Sequence, residues 1–328
     1  MGVGIISVGK KLADNIITNE DMCKIVDTSD EWIVERTGVH ERRIATTQKS
    51  LDLALEATEE ALAGIDRDSI SLLIFATCTP DILVPSMGAL AKMHLGLKNA
   101  VVFDLNSACS GFIYALWTAE SIMEANKGKP GGDIKRAVVI GGERISRIAN
   151  WNDRGSCILF GDGAGAAVLE SRDGETGIIA SFIKNYDDVE NALWCGMEYW
   201  ANPFSKDEEI NEIQVKMSGT KVFRFAVAAV DEVMEKVLEY AGMEADEVDF
   251  YIPHQANLRI IRAAANRFGQ PMEKFQVSIG NTGNVSAASV PMALYDAINE
   301  GKVKKGDTIM LVGFGGGLSA GAVLIKMW

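Results

Sequence analysis

The sequence predicts an α/β protein built as two similar halves, because strand and helix periodicities alternate along all 328 residues and four features recur in the same order. Strands ending in small-residue turns, the third observation, mark where open α/β sheets carry their sites. In the first half, strands are expected at Ser71–Ala76, Val101–Leu105, Arg136–Ile140 and Ala164–Leu169. In the second they are expected at Val248–Ile252, Phe275–Ile279, Asp307–Val312 and Ala320–Ile325. Helical periodicity fills Leu51–Ala63, Phe112–Glu124, Val222–Tyr240 and Leu258–Phe268. A further helix opens near Asp30 on Thr28-Ser29-Asp30-Glu31, a capping-box pattern. Met1 to Lys10 has no basic stretch ahead of its apolar residues and reads as a strand, not a signal peptide.

The halves match in order as well as in kind. Val101 to Cys109 runs from strand through a small-residue turn into a helix, and Phe275 to Asn284 does the same. Val138-Val139-Ile140-Gly141-Gly142 closes on glycines, as does Met310 to Gly317. Glycine-spaced strands then follow, Gly163 to Leu169 and Gly317 to Leu324. One such match arises by chance in any α/β chain; four in register favour a duplicated βα unit. The boundary is expected between residues 171 and 177, dividing the chain into 1–172 and 173–328. The polar segment Lys127 to Asp133 reads as a surface loop.

Composition narrows the class of function. The chain is 48% hydrophobic and 23% charged, as expected of a soluble globular protein, and no apolar run reaches the ~18 residues of a membrane span. A formal net charge of −13 opposes binding to nucleic acid or to anionic lipid. The five cysteines form no CxxC pair, which suits a reducing compartment and argues against structural zinc or disulfides.

Cys109 is the residue placed for chemistry. It follows a strand at the mouth of a helix, in Asn106-Ser107-Ala108-Cys109-Ser110-Gly111-Phe112, where the helix dipole favours thiolate and small neighbours admit a substrate. Cys23, Cys78, Cys157 and Cys195 read as small buried hydrophobes. Of three histidines, His40 lies in a charged stretch and His94 on a short helix, both expected at the surface. His254 instead follows Phe250-Tyr251-Ile252-Pro253 and emerges at the strand's C-terminal end. Asn284 on its own reads equally as a turn residue, but duplication sets its loop opposite the Cys109 elbow. Gly315-Gly316-Gly317 offers backbone N–H groups to an oxyanion, or close strand packing.

With these motifs in hand, the chain resembles the β-ketoacyl-acyl carrier protein synthase III family, end to end. The likeness rests on Thr28-Ser29-Asp30-Glu31-Trp32, Arg36-Thr37-Gly38, Ala108-Cys109-Ser110-Gly111-Phe112 and Asp153-Arg154-Gly155. It continues through Phe160 to Gly165, Pro253-His254-Gln255-Ala256-Asn257, Gly280 to Asn284 and Phe314-Gly315-Gly316-Gly317. The resemblance implies a thiolase-like fold with a five-layered α-β-α-β-α core. It implies a cytoplasmic homodimeric acyltransferase that joins an acyl-coenzyme A primer to malonyl-acyl carrier protein, with no metal or other cofactor. Cys109 matches the acylated nucleophile, His254 and Asn284 the pair that supports decarboxylation, and Gly316 the partner of the Cys109 N–H in an oxyanion hole. Trp32 and Arg154 match residues that hold the adenine of coenzyme A, Arg36 one that meets its phosphates, and Asn257 one near the pantetheine arm. Met217, Gly219 and Phe223 match the tunnel lining.

Two further groups complete the candidate site. Val84 stands where some family members carry a bulkier gate reaching the partner subunit's acyl pocket, which leaves the primer open. Arg259, Arg262 and Arg267 share one broad helix face beside Arg224, and the resemblance puts carrier-protein docking there. A thiolase would need a second cysteine near the C-terminus, but the last here is Cys195. Elongating synthases use two histidines, and neither His40 nor His94 lies in the Asn284 loop. A related condensing or acyl-transfer enzyme of secondary metabolism is the alternative that the residues leave open.

Overall fold

A computed structural model describes residues 2–172, 174, 176–196, 204 and 213–328. The first sheet runs in the order Gly2–Leu12, Asp162–Arg172, Arg136–Arg144, Ile70–Ala76, Val101–Leu105. Its first two pairings are antiparallel and its last two parallel. The second sheet runs Gly177–Asn185, Ser319–Lys326, Thr308–Gly315, Phe250–Pro253, with two antiparallel pairings and then a parallel one. Strand for strand, this repeats the order and direction of the first sheet.

The repeat stops short at the fifth strand. The segment Phe275–Ile279, expected to be a strand, makes one parallel bridge, Phe275 to Tyr251, and then turns into the short helix Ile279–Thr282. Its backbone is satisfied by a side chain instead of a ladder. Gln255 accepts from the N–H groups of Ser278 and Ile279 at 2.8 and 3.1 Å, and donates to the Gln276 carbonyl at 3.1 Å.

Five layers follow from how the strands alternate. Leu73 and Phe75 point outward, where the helices Ser50–Ala61 and Met87–Leu95 cover them with Leu53, Ala57 and Ala91. Leu72 and Ile74 point inward to the helices Gly111–Asn126 and Ser289–Asn299. That inner pair also packs against Ile252, Leu311 and Val323 of the second sheet, so one core joins both halves. The helices Gly219–Ala241 and Leu258–Arg267 close the outer face of the second sheet over Tyr251, Met310 and Leu324. Phe112, Ile113 and Leu116 of the inner layer are 0% exposed, and each such side chain stabilises the core by ~2 kcal/mol.

The sheets divide close to the expected boundary, the first ending at Arg172 and the second starting at Gly177. Asp173 and Glu175, at the junction itself, lie outside the described residues. The helix Asp30–Thr37 is capped by the Ser29 hydroxyl, which accepts from the Trp32 N–H at 3.2 Å. The expected capping box is therefore one-sided, because the third helical position holds Trp32 and not a carboxylate. Among the described residues, no helix is long and apolar enough to cross a membrane.

Candidate active site

Each half ends its parallel run in a strained elbow, and the two elbows pack against each other at the middle of the molecule. In the first, the chain leaves Val101–Leu105, turns at Asn106 and enters a 3₁₀ turn, Ala108–Ser110, that leads into Gly111–Asn126. Asn106 Oδ1 accepts from the Ala108 N–H at 3.1 Å, and Ala108 takes φ +44°. A left-handed alanine costs about 1 kcal/mol, and the bend turns Cys109 towards the second half.

The second elbow repeats this detail. Asn284 Oδ1 accepts from the Ser286 N–H at 2.9 Å, Ser286 takes φ +49°, and a 3₁₀ turn, Ser286–Ala288, leads into Ser289–Asn299. Asn284 is thus the counterpart of Asn106, and Cys109 that of Ala287, a finer register than the sequence match gave. Because the Asn284 oxygen is bound to Ser286, its NH₂ is the free end of the amide. The Asn284 backbone is pinned as well, its N–H to the Leu159 carbonyl at 2.7 Å and its carbonyl by the Gly161 N–H at 3.0 Å.

His254 reaches the same place from the end of Phe250–Pro253. Its N–H bonds the Val312 carbonyl at 2.8 Å, and its ring meets Phe314 edge-on at 5.1 Å. Burial lowers its pKa to about 3, so the imidazole is neutral at pH 7. Nδ1 is buried without a hydrogen-bond partner among the described residues.

One cavity of about 1420 Å³ contains Cys109, His254, Asn284 and Gly316 in its lining. Gly315 presses hardest on the cysteine: a methyl there would stand 2.7 Å from the Cys109 nitrogen. Gly315→Ala should push the elbow back, slow acylation of Cys109 at least tenfold and cost ~1–3 kcal/mol of stability, as overpacking does. Acyl transfer and thermal melting of the variant measure both. The expectation that the helix mouth leaves Cys109 as thiolate is corrected. Burial pushes the resting thiol up to about 11, against a smaller opposing effect of the Ser286 hydroxyl.

The expected coenzyme A residues gather at one stretch of the cavity wall. Trp32, Arg36, Arg154, Met217, Gly219, Phe223 and Asn257 all line it. The Arg36 and Arg154 guanidinium groups lie 5.1 and 4.5 Å from the centre of the Trp32 ring, and Arg154 also donates to the Asp27 carbonyl at 2.8 Å. Asn257 is occupied structurally, capping Leu258–Arg267 through the Arg259 N–H at 2.9 Å and donating to the Arg36 carbonyl at 3.0 Å. The helix carrying Arg36 is thereby tied to the loop carrying His254.

Known proteins share this whole arrangement. The family model for 3-oxoacyl-[acyl-carrier-protein] synthase III matches residues 103–187, and that for its C-terminal part matches 238–327. A β-ketoacyl-[acyl-carrier-protein] synthase III of Clostridium perfringens is 43% identical over 325 residues, 98% of either chain. The crystal structure of the Aquifex aeolicus 3-oxoacyl-[acyl-carrier-protein] synthase III superposes with a TM-score of 0.90 at 42% identity, covering 99% of this chain and 100% of that one. That of the Thermus thermophilus synthase III gives 0.90 at 36%, covering 99% of each. The chain belongs to the 3-oxoacyl-[acyl-carrier-protein] synthase III family.

As a synthase III it is a condensing acyltransferase with the thiolase-like fold. Some expected site residues stand apart from the cavity. Val84 is 87% exposed, beside Ile82 and Leu83, which do line it. Arg259 joins the lining and lies over the Phe223 ring at 5.0 Å, while Arg224 and Arg262 are exposed outside it. Arg267 sits eight residues beyond Arg259, ~12 Å along the helix, and pairs with Asp231 and Glu235. Its charge is already engaged. His40 and His94 are exposed as expected; Cys157 is buried, but Cys23 and Cys195 are exposed where burial was expected, and Cys195 lines the cavity.

Cys78 departs from its expected place. It lines the cavity, with its sulfur 3.6 Å from Ser286 Oγ and 3.3 Å from a carboxylate oxygen of Glu143. Sequence reasoning did not single out Ser286 or Glu143, both of which contact Cys78 here. The signal for Glu143 was an acid directly after Gly141-Gly142, in a strand buried from Ala137 to Glu143, where a carboxylate needs a reason to be.

Proposed function

We propose that the chain starts fatty-acid synthesis by a two-stage decarboxylative condensation, with Cys109 as the carrier of the primer. The observation that carries this reading is the convergence of Cys109, His254 and Asn284 from both elbows on one cavity. In the first stage the Cys109 sulfur attacks an acyl-coenzyme A. The tetrahedral oxyanion is held by the N–H groups of Cys109 and Gly316, and coenzyme A leaves from the wall formed by Trp32, Arg36 and Arg154. In the second stage malonyl-acyl carrier protein enters and loses carbon dioxide. The enolate oxygen then meets His254 Nε2 and the Asn284 NH₂, the amide being oriented by the Ser286 N–H on its oxygen.

The nascent carbanion attacks the acyl-cysteine, which yields 3-ketoacyl-acyl carrier protein and frees the thiolate. The scheme draws on no metal, because departure of carbon dioxide generates the carbanion and hydrogen bonds hold its charge. Supplying acetyl-coenzyme A with malonyl-acyl carrier protein should release carbon dioxide and coenzyme A in equal amounts as 3-ketoacyl product forms. Malonyl turnover that leaves the primer unconsumed would remove this reading.

The reading includes a cytoplasmic homodimer in which the exposed Ile82-Leu83-Val84 tip meets the partner, Val84 bordering the partner's acyl pocket. Val84→Phe should then shift the chain-length profile towards shorter primers, by about 1–3 kcal/mol for each methylene excluded. An unchanged profile in a folded dimer would remove Val84 from the gate.

Carrier-protein docking falls to Arg224, Arg259 and Arg262, around the mouth near Phe223. Arg267 drops out of the patch because of its acidic partners. The double variant Arg259→Glu, Arg262→Glu should raise KM for malonyl-acyl carrier protein about tenfold or more, and wild-type turnover should fall with added salt. Acylation by acetyl-coenzyme A should suffer far less. Equal loss of both stages would place these arginines elsewhere in the mechanism.

A further inference from the structure

Two donors serve one enolate oxygen only if their spacing is held, and His254 and Asn284 come from different stretches of the chain. His254 follows the strand Phe250–Pro253, while Asn284 follows the short helix Ile279–Thr282. In the first half, the strand leading to the Cys109 elbow is fixed to its neighbour by a parallel ladder from Leu72 to Ala76. Such a ladder sets adjacent strands ~4.8 Å apart. In the second half, pairing stops at the Phe275 bridge, with the Gln276 N–H on the Tyr251 carbonyl at 2.9 Å. Beyond that point a side chain takes over from the ladder.

That side chain is Gln255, 1% exposed and next to the histidine. Its Nε2 donates to the Pro253 carbonyl at 2.7 Å and to the Gln276 carbonyl at 3.1 Å. Its Oε1 accepts from the N–H groups of Ser278 and Ile279 at 2.8 and 3.1 Å. Two donors and two acceptor sites are the capacity of an amide, and all four are used. Turned over, the amide would set N–H against N–H and oxygen against oxygen, so a single orientation is fixed.

Both ends of this bridge are stiff. On the histidine side, the His254 N–H is held by the Val312 carbonyl at 2.8 Å. On the asparagine side, Ile279 opens the short helix, which closes with the Gly283 N–H on the Ile279 carbonyl at 3.1 Å. Gly283 takes φ +66° and packs so tightly that a methyl there would stand 2.8 Å from the Leu159 carbonyl oxygen. Asn284 comes next, its own N–H on that same carbonyl. Ser278 is held from behind as well. Its hydroxyl donates to Asp296 at 2.8 Å, and Asp296 pairs with Lys10 at 2.7 Å.

We propose that Gln255 is a positioning residue that sets the spacing of His254 and Asn284, so that both reach one enolate oxygen. The proposal rests on the reading of these two residues as the decarboxylation pair. Gln255 acts from behind the wall: His254 and Ala256, on either side of it, line the cavity, and Gln255 does not. A spacing has its own signature, because it matters only while two donors share the oxygen. With one donor removed, the oxygen settles on the other and the spacing has nothing left to set.

The test is a double-mutant cycle on malonyl-acyl carrier protein decarboxylation, read as carbon dioxide release, with Cys109 acylation by acetyl-coenzyme A followed in parallel. Gln255→Met keeps an unbranched side chain and removes all four hydrogen bonds. It should lower kcat for decarboxylation by about a hundredfold, as for loss of one oxyanion donor, and leave KM within about twofold. Acylation should slow by about threefold at most, since backbone N–H groups hold the oxyanion of that stage. In His254→Ala or Asn284→Ala, adding Gln255→Met should cost less than about threefold more. Gln255→Glu keeps the acceptor oxygen but cannot donate to both carbonyls, and should lose about tenfold with the same lack of additivity. If Gln255→Met fails to fold, this variant decides. Wild-type decarboxylation in the Gln255 variants, or a full multiplicative loss in either alanine background, overturns the spacing role. An equal loss of acylation overturns it too, because it marks disruption of both elbows. Unchanged decarboxylation in His254→Ala and Asn284→Ala alone would overturn the pair itself, and the spacing with it.

Discussion

Cys109→Ser should form no acyl-enzyme when mixed with acyl-coenzyme A, and condensation should fall by about a thousandfold or more, as for loss of other covalent nucleophiles. The reason is the sulfur's acidity and polarisability. Even a thiol pushed up to about 11 ionises far more readily than a serine hydroxyl in the same buried place. The elbow should survive the change, since Ala108, Asn106 and Gly315 shape it and none of them depends on the sulfur. Malonyl decarboxylation, which relies on His254 and Asn284, should therefore persist in this variant. Label transferred to the serine variant at the wild-type rate would show that another group carries the acyl chain.

The second large effect separates the two stages in the opposite sense. His254→Ala and Asn284→Ala should each lower malonyl decarboxylation by about a hundredfold or more, the loss expected for one donor to a buried oxyanion. Acylation of Cys109 should survive in part, because the oxyanion of that stage is held by backbone N–H groups. The structure sharpens this expectation for His254. A neutral imidazole can donate through its one ring N–H, and burial leaves it a poor base. Equal loss of both stages in His254→Ala would mean that it takes the Cys109 proton after all. Carbon dioxide release and acyl-enzyme mass, measured on the same samples, tell these apart.

Much of the fold was legible because both halves use strands buried on two faces, which read as continuous apolar runs such as Ile309 to Val312. The Phe275 segment was not legible. Its residues have strand character, but the groups that occupy its backbone belong to Gln255, twenty positions earlier in the chain. That Cys109, His254 and Asn284 share one cavity was legible, because the duplication set the two elbows opposite each other. Glu143 and Ser286 were not, since a buried acid at a strand end gains meaning only from Thr77, Cys78 and Thr79 on a neighbouring loop. The thiol's high pKa was misjudged for a similar reason. A helix mouth is visible in sequence, whereas the burial that outweighs it is a property of both elbows packed together.

The central claim is that the primer rides on Cys109, and with Cys78 and Cys195 lining the same cavity the decisive measurement must separate the three thiols. The chain would be incubated with acetyl-coenzyme A, quenched in acid, digested and mapped by mass spectrometry. The account predicts one acetyl group per chain, on the peptide bearing Cys109, discharged when malonyl-acyl carrier protein is added before the quench. An acetyl group on the Cys78 or Cys195 peptide, or one on Cys109 that malonyl-acyl carrier protein does not remove, would contradict it.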